Sequence, residues 1–415
     1  MRRVSTDMPN TDIQFFLRRQ EDAMQNLQNQ ISSGNRLNRL RDDPLAAART
    51  VRYQSFLARL ERFESNTQYA RNHLDHIDIH LQRSVDVLHR VRELAVTGAT
   101  GTFTQDDTRH MAIEVNELMQ ELIAIANATG PDTRQLFAGD RVFTEPFRVV
   151  QGTVDGGEES LVVSVEYRGS GTTRRAEIHE RTFLDLDLGG GQAFWAERMQ
   201  IFSSIDATGW RALENGAFFI NGHEILVREG DTLATVVANI NESGAAVRAS
   251  VDPSTQGLVI TGTNPHLIRM EDRQGSTTLE ELGIISFNSD PGAPNWDPSA
   301  RVAGGSVFDM VIRLRDGLLR GDHEFIGSLG ISGIDLALGN MTARLAEVGS
   351  RNERAAMTGN RLNQEIPNTQ AMLARDVGVD MIQAATDLAM MDFAQRAALQ
   401  TAARIIPPTL LDFLR

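Results

Sequence analysis

The sequence predicts an α+β fold: an elongated antiparallel helical rod formed by both chain ends, with a β-rich domain inserted between them. Three observations carry this expectation. Apolar residues recur at alternating spacings of four and three over long stretches towards both ends of the chain. The middle changes to short β-branched runs bounded by Gly, Asp and Pro. The extreme ends return to amphipathic helical stripes. At 415 residues the chain is long enough for two or three domains, and 23% charged with 41% hydrophobic residues places it near the globular norm.

The first stripe is Ile13, Leu17, Gln20, Met24, Leu27 and Ile31, and Gly34 behind it lets the chain leave a helix. After a short polar linker, Asp42 and Asp43 offer a carboxylate to free backbone amides, and Pro44 at the first helical position forfeits no hydrogen bond. Phe56, Leu60, Phe63, Thr67, Ala70, Leu74, Ile77, Leu81, Ser84, Leu88, Val91 and Ala95 then form a heptad seam. A helix reaching Thr97 would be roughly 80 Å long, with Gly98 and Gly101 ending it. Thr104 and Asp107 read as a capping box for a second helix, striped by Met111, Val115, Leu118, Leu122, Ile125 and Thr129, that folds back along the first.

From about Arg141 to Ala300 the texture is strand-rich, with runs at Leu161–Tyr167 and Gly257–Thr261. Phe219 to Val227 reads as a hairpin turning at Asn221-Gly222, Thr232 to Asn241 as a short helix, and Ala246–Val251 with Leu258–Thr261 as a second hairpin. Asn288 to Pro298 marks a return linker. A third seam follows at Ile334, Leu338, Met341, Leu345, Val348, Asn352, Ala355, Gly359, Leu362 and Ile366. The last stripe is Val377, Met381, Ala384, Leu388, Met391, Gln395, Ala398, Ala402 and Ile405. Long striped helices cannot bury their apolar faces alone, so the two ends of the chain are expected to pair. The expected domains are 1–40 with 372–415 as terminal assembly helices, 41–140 with 302–371 as the rod, and 141–301 as the insertion.

Composition removes several classes of function. A net charge of -14 opposes tracking of nucleic-acid phosphates. Without cysteine there are no disulfides, zinc ribbons, iron–sulfur ligands or thiol catalysis. Met1 to Asn10 lacks the apolar run of a cleavable secretory signal, which points to the cytoplasm unless an uncleaved signal of another kind acts. No run approaches the roughly 18 apolar residues of a membrane span. Nucleophile-elbow, phosphate-loop and dinucleotide patterns are missing, and Gly189-Gly190-Gly191 reads as a flexible loop. His73, His76 and His80 share a spacing that could hold a metal, but they flank the seam and read as solvated or seam-edge residues. Asp155 to Glu159 reads as an exposed hairpin tip. No catalytic residue, cofactor or metal is assigned.

Ile31-Ser32-Ser33-Gly34-Asn35-Arg36-Leu37, followed by Asp42-Asp43-Pro44-Leu45-Ala46-Ala47-Ala48, resembles the N-terminal signature of the bacterial flagellin family. Asp376 through Ala384, Thr386, Gln395, Ala398, Leu399 and Gln400 resembles its C-terminal helix, and Ile220-Asn221-Gly222 with Ile240-Asn241-Glu242-Ser243-Gly244 resembles its inserted Ile-Asn motif. The opening Met1 to Thr6, the run Arg134 to Gly139 and the close Leu410-Leu411-Asp412-Phe413-Leu414 are similar to the family branch that joins hook to filament.

The resemblance implies a non-enzymatic structural subunit, passed uncleaved through the flagellar type III export apparatus with an export chaperone. It implies assembly with copies of itself, between hook-associated protein 1 and flagellin, at a hook–filament junction that is extracellular or, for an internal flagellum, periplasmic. The implied interface residues are Ile13, Leu17, Met24, Leu27, Ile31, Met381, Leu388, Met391, Leu399, Leu410, Leu411 and Phe413, with Gly34, Asp42, Asp43 and Pro44 as linker and turn. A filament flagellin, and a surface-binding role for the inserted domain, stand as alternatives.

Overall fold

The structure, a computed structural model, describes residues 8–37, 43–153, 160–286 and 295–405. It is α+β, and its contacts divide it into two compact units, residues 66–359 and residues 1–65 with 360–415. Asp42, the 155–159 turn and the apolar residues Leu410, Leu411 and Phe413 lie outside the described residues, as does most of the 288–298 linker.

The first heptad seam folds as a single helix of 56 residues, α2 (Pro44–Ala99). Every seam residue from Leu60 to Ala95 is buried, the polar Thr67 and Ser84 included. The Ser84 hydroxyl donates to the His80 carbonyl at 3.0 Å, so it enters the seam with its donor satisfied. Gly98 does not end the helix, as its type suggests. A Cβ there would come 2.5 Å from Leu318 Cδ2, so the glycine serves close packing, and α2 stops at Ala99.

In the larger unit α2 runs antiparallel to α9 (Ile331–Val377): Asn352 bonds Asp75, and Arg92 pairs with Asp335 at 2.6 Å. Between them in sequence comes α3 (Gln105–Ala126), which opens on the expected capping box, with Asp107 N donating to Thr104 Oγ1 at 3.3 Å and Thr104 N to Asp107 Oδ2 at 3.0 Å. Its buried residues are Thr108, Ala112, Val115, Met119, Leu122 and Ala126, with Ile123 and Ile125 widening the face near the C-terminal end. Val115, Leu122 and Ile125 belong to both readings, whereas Met111 and Leu118 lie at the edge and Thr129 is exposed beyond the helix end. The face turns because α3 packs on another helix, α7 (Val307–Arg320), itself started by a capping box at Ser306 and Asp309. A single turn, α8 (His323–Phe325), and a π-helical stretch at Ile326–Gly330 then lead into α9.

The intervening chain gives small antiparallel sheets. β1 (Phe147–Gly152) pairs with β2 (Leu161–Tyr167), and β3 (Arg175–His179) with β4 (Thr182–Asp185). The short helix α4 (Gly190–Ala193) follows, then β5 (Gln200–Phe202), β6 (Gly216–Ile220) and β7 (His223–Val227). After α5 (Leu233–Glu242) come β8 (Val247–Val251), β9 (Leu258–Gly262), β10 (Met270–Asp272), α6 (Thr278–Glu281) and β11 (Arg301–Ala303). The sheet orders are β10-β6-β7 and β11-β5-β9-β8. Both expected hairpins form. Asn221 and Gly222 have φ of +50° and +83°, the paired left-handed conformation of a two-residue hairpin turn.

Asn221 does more than turn the chain. Its Nδ2 donates to Ala245 O at 2.9 Å, and its Oδ1 accepts from Arg269 N at 3.0 Å, so one side chain ties the hairpin to the strand and helix ends beside it. Desolvation lowers the pKa of buried His266, leaving its Nε2 to accept from Asn221 Nδ2 at 3.0 Å while Nδ1 donates to Asn264 O.

Among the described residues of the larger unit two apolar cores result. One joins the helical seams to Phe147, Tyr167 and Phe194; the other lies around Ile201, Phe218, Val236, Ile260 and Leu279. Gly189-Gly190-Gly191 is not a flexible loop. A Cβ on Gly190 would fall 2.7 Å from the rings of Phe147 and Tyr167, so bare backbone there lets the aromatic cluster close.

Helical side chains hold the strand segment through its backbone. Asn66 donates to Glu177 O at 2.8 Å, Asn340 to Trp195 O at 2.7 Å, and buried Arg315 to Val162 O at 2.8 Å. The densest junction is Asp187, 1% exposed. His73 Nε2 donates to its Oδ1 at 3.0 Å, Arg174 donates through Nε and Nη2 at 2.9 and 2.7 Å, and Arg351 donates to its carbonyl at 3.0 Å. His73 is therefore a buried tie between α2 and the insertion, not a solvated seam-edge residue, and the described residues hold no cluster of three metal-ligating side chains.

Burial raises the Asp187 pKa, but hydrogen bonds from His73 and Arg174 outweigh it and hold the carboxyl below its usual range. A depressed folded-state pKa contributes stability above the unfolded value, near 3.9 for Asp, that disappears as pH falls through the folded one. Asp187→Asn is expected to lower stability by about 3 kcal/mol at pH 7. Denaturant unfolding along a pH series should show the gap to wild type shrinking below about pH 4.

Candidate assembly surface of the terminal helices

The smaller unit begins with α1 (Met8–Ser33) and ends with α10 (Met381–Ile405). Between them lie the start of α2 and the end of α9, where Leu60 and Phe63 pack on Leu362, with Phe56 and Ile366 alongside. The chain breaks on each side are locked together. Gly34, at φ +70°, accepts from Val379 N at 3.1 Å, and Arg36 N donates to Val377 O at 2.7 Å. Arg36 Nη2 also donates to Asp376 O at 3.2 Å. Asp43 caps α2 by accepting from Ala46 N at 3.0 Å, with Pro44 in the first turn. The Asp43 pKa is lowered by that backbone hydrogen bond first and by Arg36 and Arg49 after it. Asp380 caps α10, accepting from Ile382 N and Gln383 N at 3.0 and 3.1 Å.

α1 and α10 pair antiparallel, Gln20 Nε2 reaching Met391 O at 3.5 Å and Asn35 bridging to Gly378. Each buries only a stripe. Leu17, Met24, Leu27 and Ile31 are half-buried on α1; on α10, Ala384 is buried and Leu388, Met391, Gln395 and Ala398 are half-buried. The remaining circumference carries large apolar side chains in the open: Phe15 is 70% exposed, Phe393 76% and Ile382 82%, with Phe16, Met390, Met381 and Leu399 also exposed.

The interface positions assigned from sequence therefore separate. Leu17, Met24, Leu27, Ile31, Leu388 and Met391 lie on the stripe of the internal pair, while Met381 and Leu399 are open to solvent. Ile13 is helical but its side chain is outside the described set. Phe15, Phe16, Ile382, Met390 and Phe393 escaped the sequence reading because they fall off the heptad stripe. Their signal was large apolar residues at positions where an isolated helix pair needs polar ones. Exposed apolar surface of this kind marks interaction sites.

The pattern of the bacterial flagellin N-terminal helical region matches residues 4–141, and that of the flagellin hook IN motif matches residues 216–264. Flagellar hook-associated protein 3 of Salmonella typhimurium is 25% identical over 289 residues, 69% of this chain and 84% of its own. Its Escherichia coli counterpart is 28% identical over 256 residues, 62% of this chain and 74% of its own. Flagellin FlaB1 of Treponema pallidum is 29% identical over 124 residues, but these are 30% of this chain and only 43% of that flagellin. Residues 4–141 and 216–264 thus carry two patterns of the bacterial flagellin family, and the three relatives are flagellins or flagellar hook-associated proteins. Among these three relatives, the likeness runs along most of the length only for hook-associated protein 3.

Because Ile382 and Phe393 are mostly exposed, Ile382→Ser and Phe393→Ser should leave thermal unfolding of the monomer within about 0.5 kcal/mol of wild type. Ala384→Glu, which forces a carboxylate into the α1–α10 seam, should cost about 2 kcal/mol in the same measurement.

Proposed function

We propose that this chain is the hook–filament junction subunit, bound through its terminal helices to hook-associated protein 1 on one side, to flagellin on the other, and laterally to copies of itself. The observation that carries this reading is the half-satisfied helix pair: α1 and α10 use one stripe on each other and leave Phe15, Ile382 and Phe393 uncovered. The extent of the likeness to hook-associated protein 3 supports a junction subunit over a filament flagellin.

In this reading Leu17, Met24, Leu27, Ile31, Leu388 and Met391 keep the two ends paired, and Met381, Leu399 and the off-stripe aromatics meet neighbouring subunits. The terminal segments 1–40 and 372–415 form the assembly part, and 41–140 with 302–371 form the rod that carries the insertion, 141–301. Export proceeds without cleavage through the flagellar type III apparatus, with a chaperone covering the apolar helices beforehand.

A strain lacking the wild-type chain and carrying the Ile382→Ser, Phe393→Ser double variant is expected to export the protein yet shed its filaments. Electron microscopy showing filaments firmly attached to hooks would refute the terminal-helix mechanism. Immunogold labelling of wild-type cells should give a single band where hook meets filament. Label along the whole filament would identify a filament flagellin instead.

A further inference from the structure

The chain contains no lysine: all 41 of its basic side chains are arginine. It also contains no cysteine and three tyrosines. Side chains that ordinarily titrate between about pH 8 and pH 12 are thiols, phenols and ammonium groups, so here that set shrinks to three phenols. One of them, Tyr167, is buried, shares its single O–H between Phe137 O and Ser170 O, each at 3.0 Å, and has its pKa pushed up by desolvation. Above the histidine range, the net charge of -14 has almost nothing to change it until guanidinium itself deprotonates.

The arginines are placed where this matters. Arg90 on α2 faces Glu93 on its own helix and Glu114 on α3, and Arg92 faces Asp335 on α9. Arg175 on β3 faces Asp185 on β4, and Arg273 faces Glu224 on β7. Lysine at these positions would begin to lose its charge near pH 10, leaving carboxylates without partners in a chain already strongly acidic, where self-repulsion opposes the compact state.

We propose that this subunit is built to hold its fold and its charge in an alkaline medium, up to about pH 11. The inference rests on the flagellar reading only for its setting, since a part outside the cytoplasm meets the medium without the cell's buffering. The test is on the isolated chain, so its outcome is independent of whether the protein joins hook to filament.

Thermal unfolding of the purified full-length protein is compared at pH 8 and pH 11 with that of the Arg90→Lys, Arg92→Lys, Arg175→Lys, Arg273→Lys variant. Wild type is expected to keep its helical circular dichroism and to shift its midpoint by less than about 2 °C between the two values. The variant should match wild type at pH 8 and melt about 4 °C lower at pH 11. A wild-type midpoint that falls at pH 11 as far as the variant's, or a variant as insensitive as wild type, overturns the proposal. Should the variant be unstable even at pH 8, wild type alone decides: unfolding at pH 11 refutes the idea, and an unchanged melt upholds it.

Discussion

The structure depends on one constraint: a helix of 56 residues cannot bury an apolar stripe against itself. The α2 seam stays apolar or small from Leu60 to Ala95. The partner must be of matching length and period, and the chain supplies it from the far end as α9, paired antiparallel through contacts such as Arg92 to Asp335. Polar seam positions are tolerated because they are small and internally satisfied, as Ser84 is by its own helix. Bringing residues 243 positions apart into register is entropically costly, but the cost grows only slowly with the length of the loop between them. A large insertion between the two helices is therefore compatible with their pairing.

The insertion is fixed to the helices of its unit by buried polar ties and not by apolar packing alone. Asp187 accepts from His73 and Arg174 while its carbonyl takes Arg351, and each helical tie aims a side chain at the strand and loop segment. Such groups specify position because a displaced partner leaves a buried polar atom unmet. The tight glycines act in the same direction: Gly190 under the Phe147 and Tyr167 rings, and Gly139, whose Cβ would strike Ser170 O at 2.7 Å. Chemistry that looks at first like a metal or nucleotide signal turns out to be packing.

Periodicity made the helices legible, and turn chemistry made the hairpins legible. The α2 seam, the Thr104 capping box and the Asn221-Gly222 turn each follow from local rules that tertiary structure did not override. What could not be read was which of two overlapping stripes α3 would bury, because that depends on α7, whose Arg315 reaches Asn116 of α3 from 199 residues away. The start of α7, Ser306 with Asp309, carries the same capping signature as α3 and was there to be found. Asp187 was illegible for a related reason: nothing in Asp185-Leu186-Asp187 distinguishes the carboxylate that will meet His73 from the one that stays on the surface. At the termini the stripe told which residues pair internally. The residues left over, Phe15, Ile382 and Phe393, become conspicuous only once the pair is seen to be incomplete.

In the proposed reading that incompleteness links fold to assembly, since a two-helix pair that covers half of itself gains stability in a larger bundle made with neighbours. The absence of native cysteine allows this to be examined directly in the organelle, by timing maleimide labelling of a Phe393→Cys variant as purified monomer and in isolated flagella. If neighbours cover the open face of α10, the introduced thiol labels quickly in the monomer, is protected in assembled flagella, and becomes reactive again when they are dissociated. Equal labelling rates in monomer and in assembled flagella would leave that face bare in the organelle and contradict assembly through it.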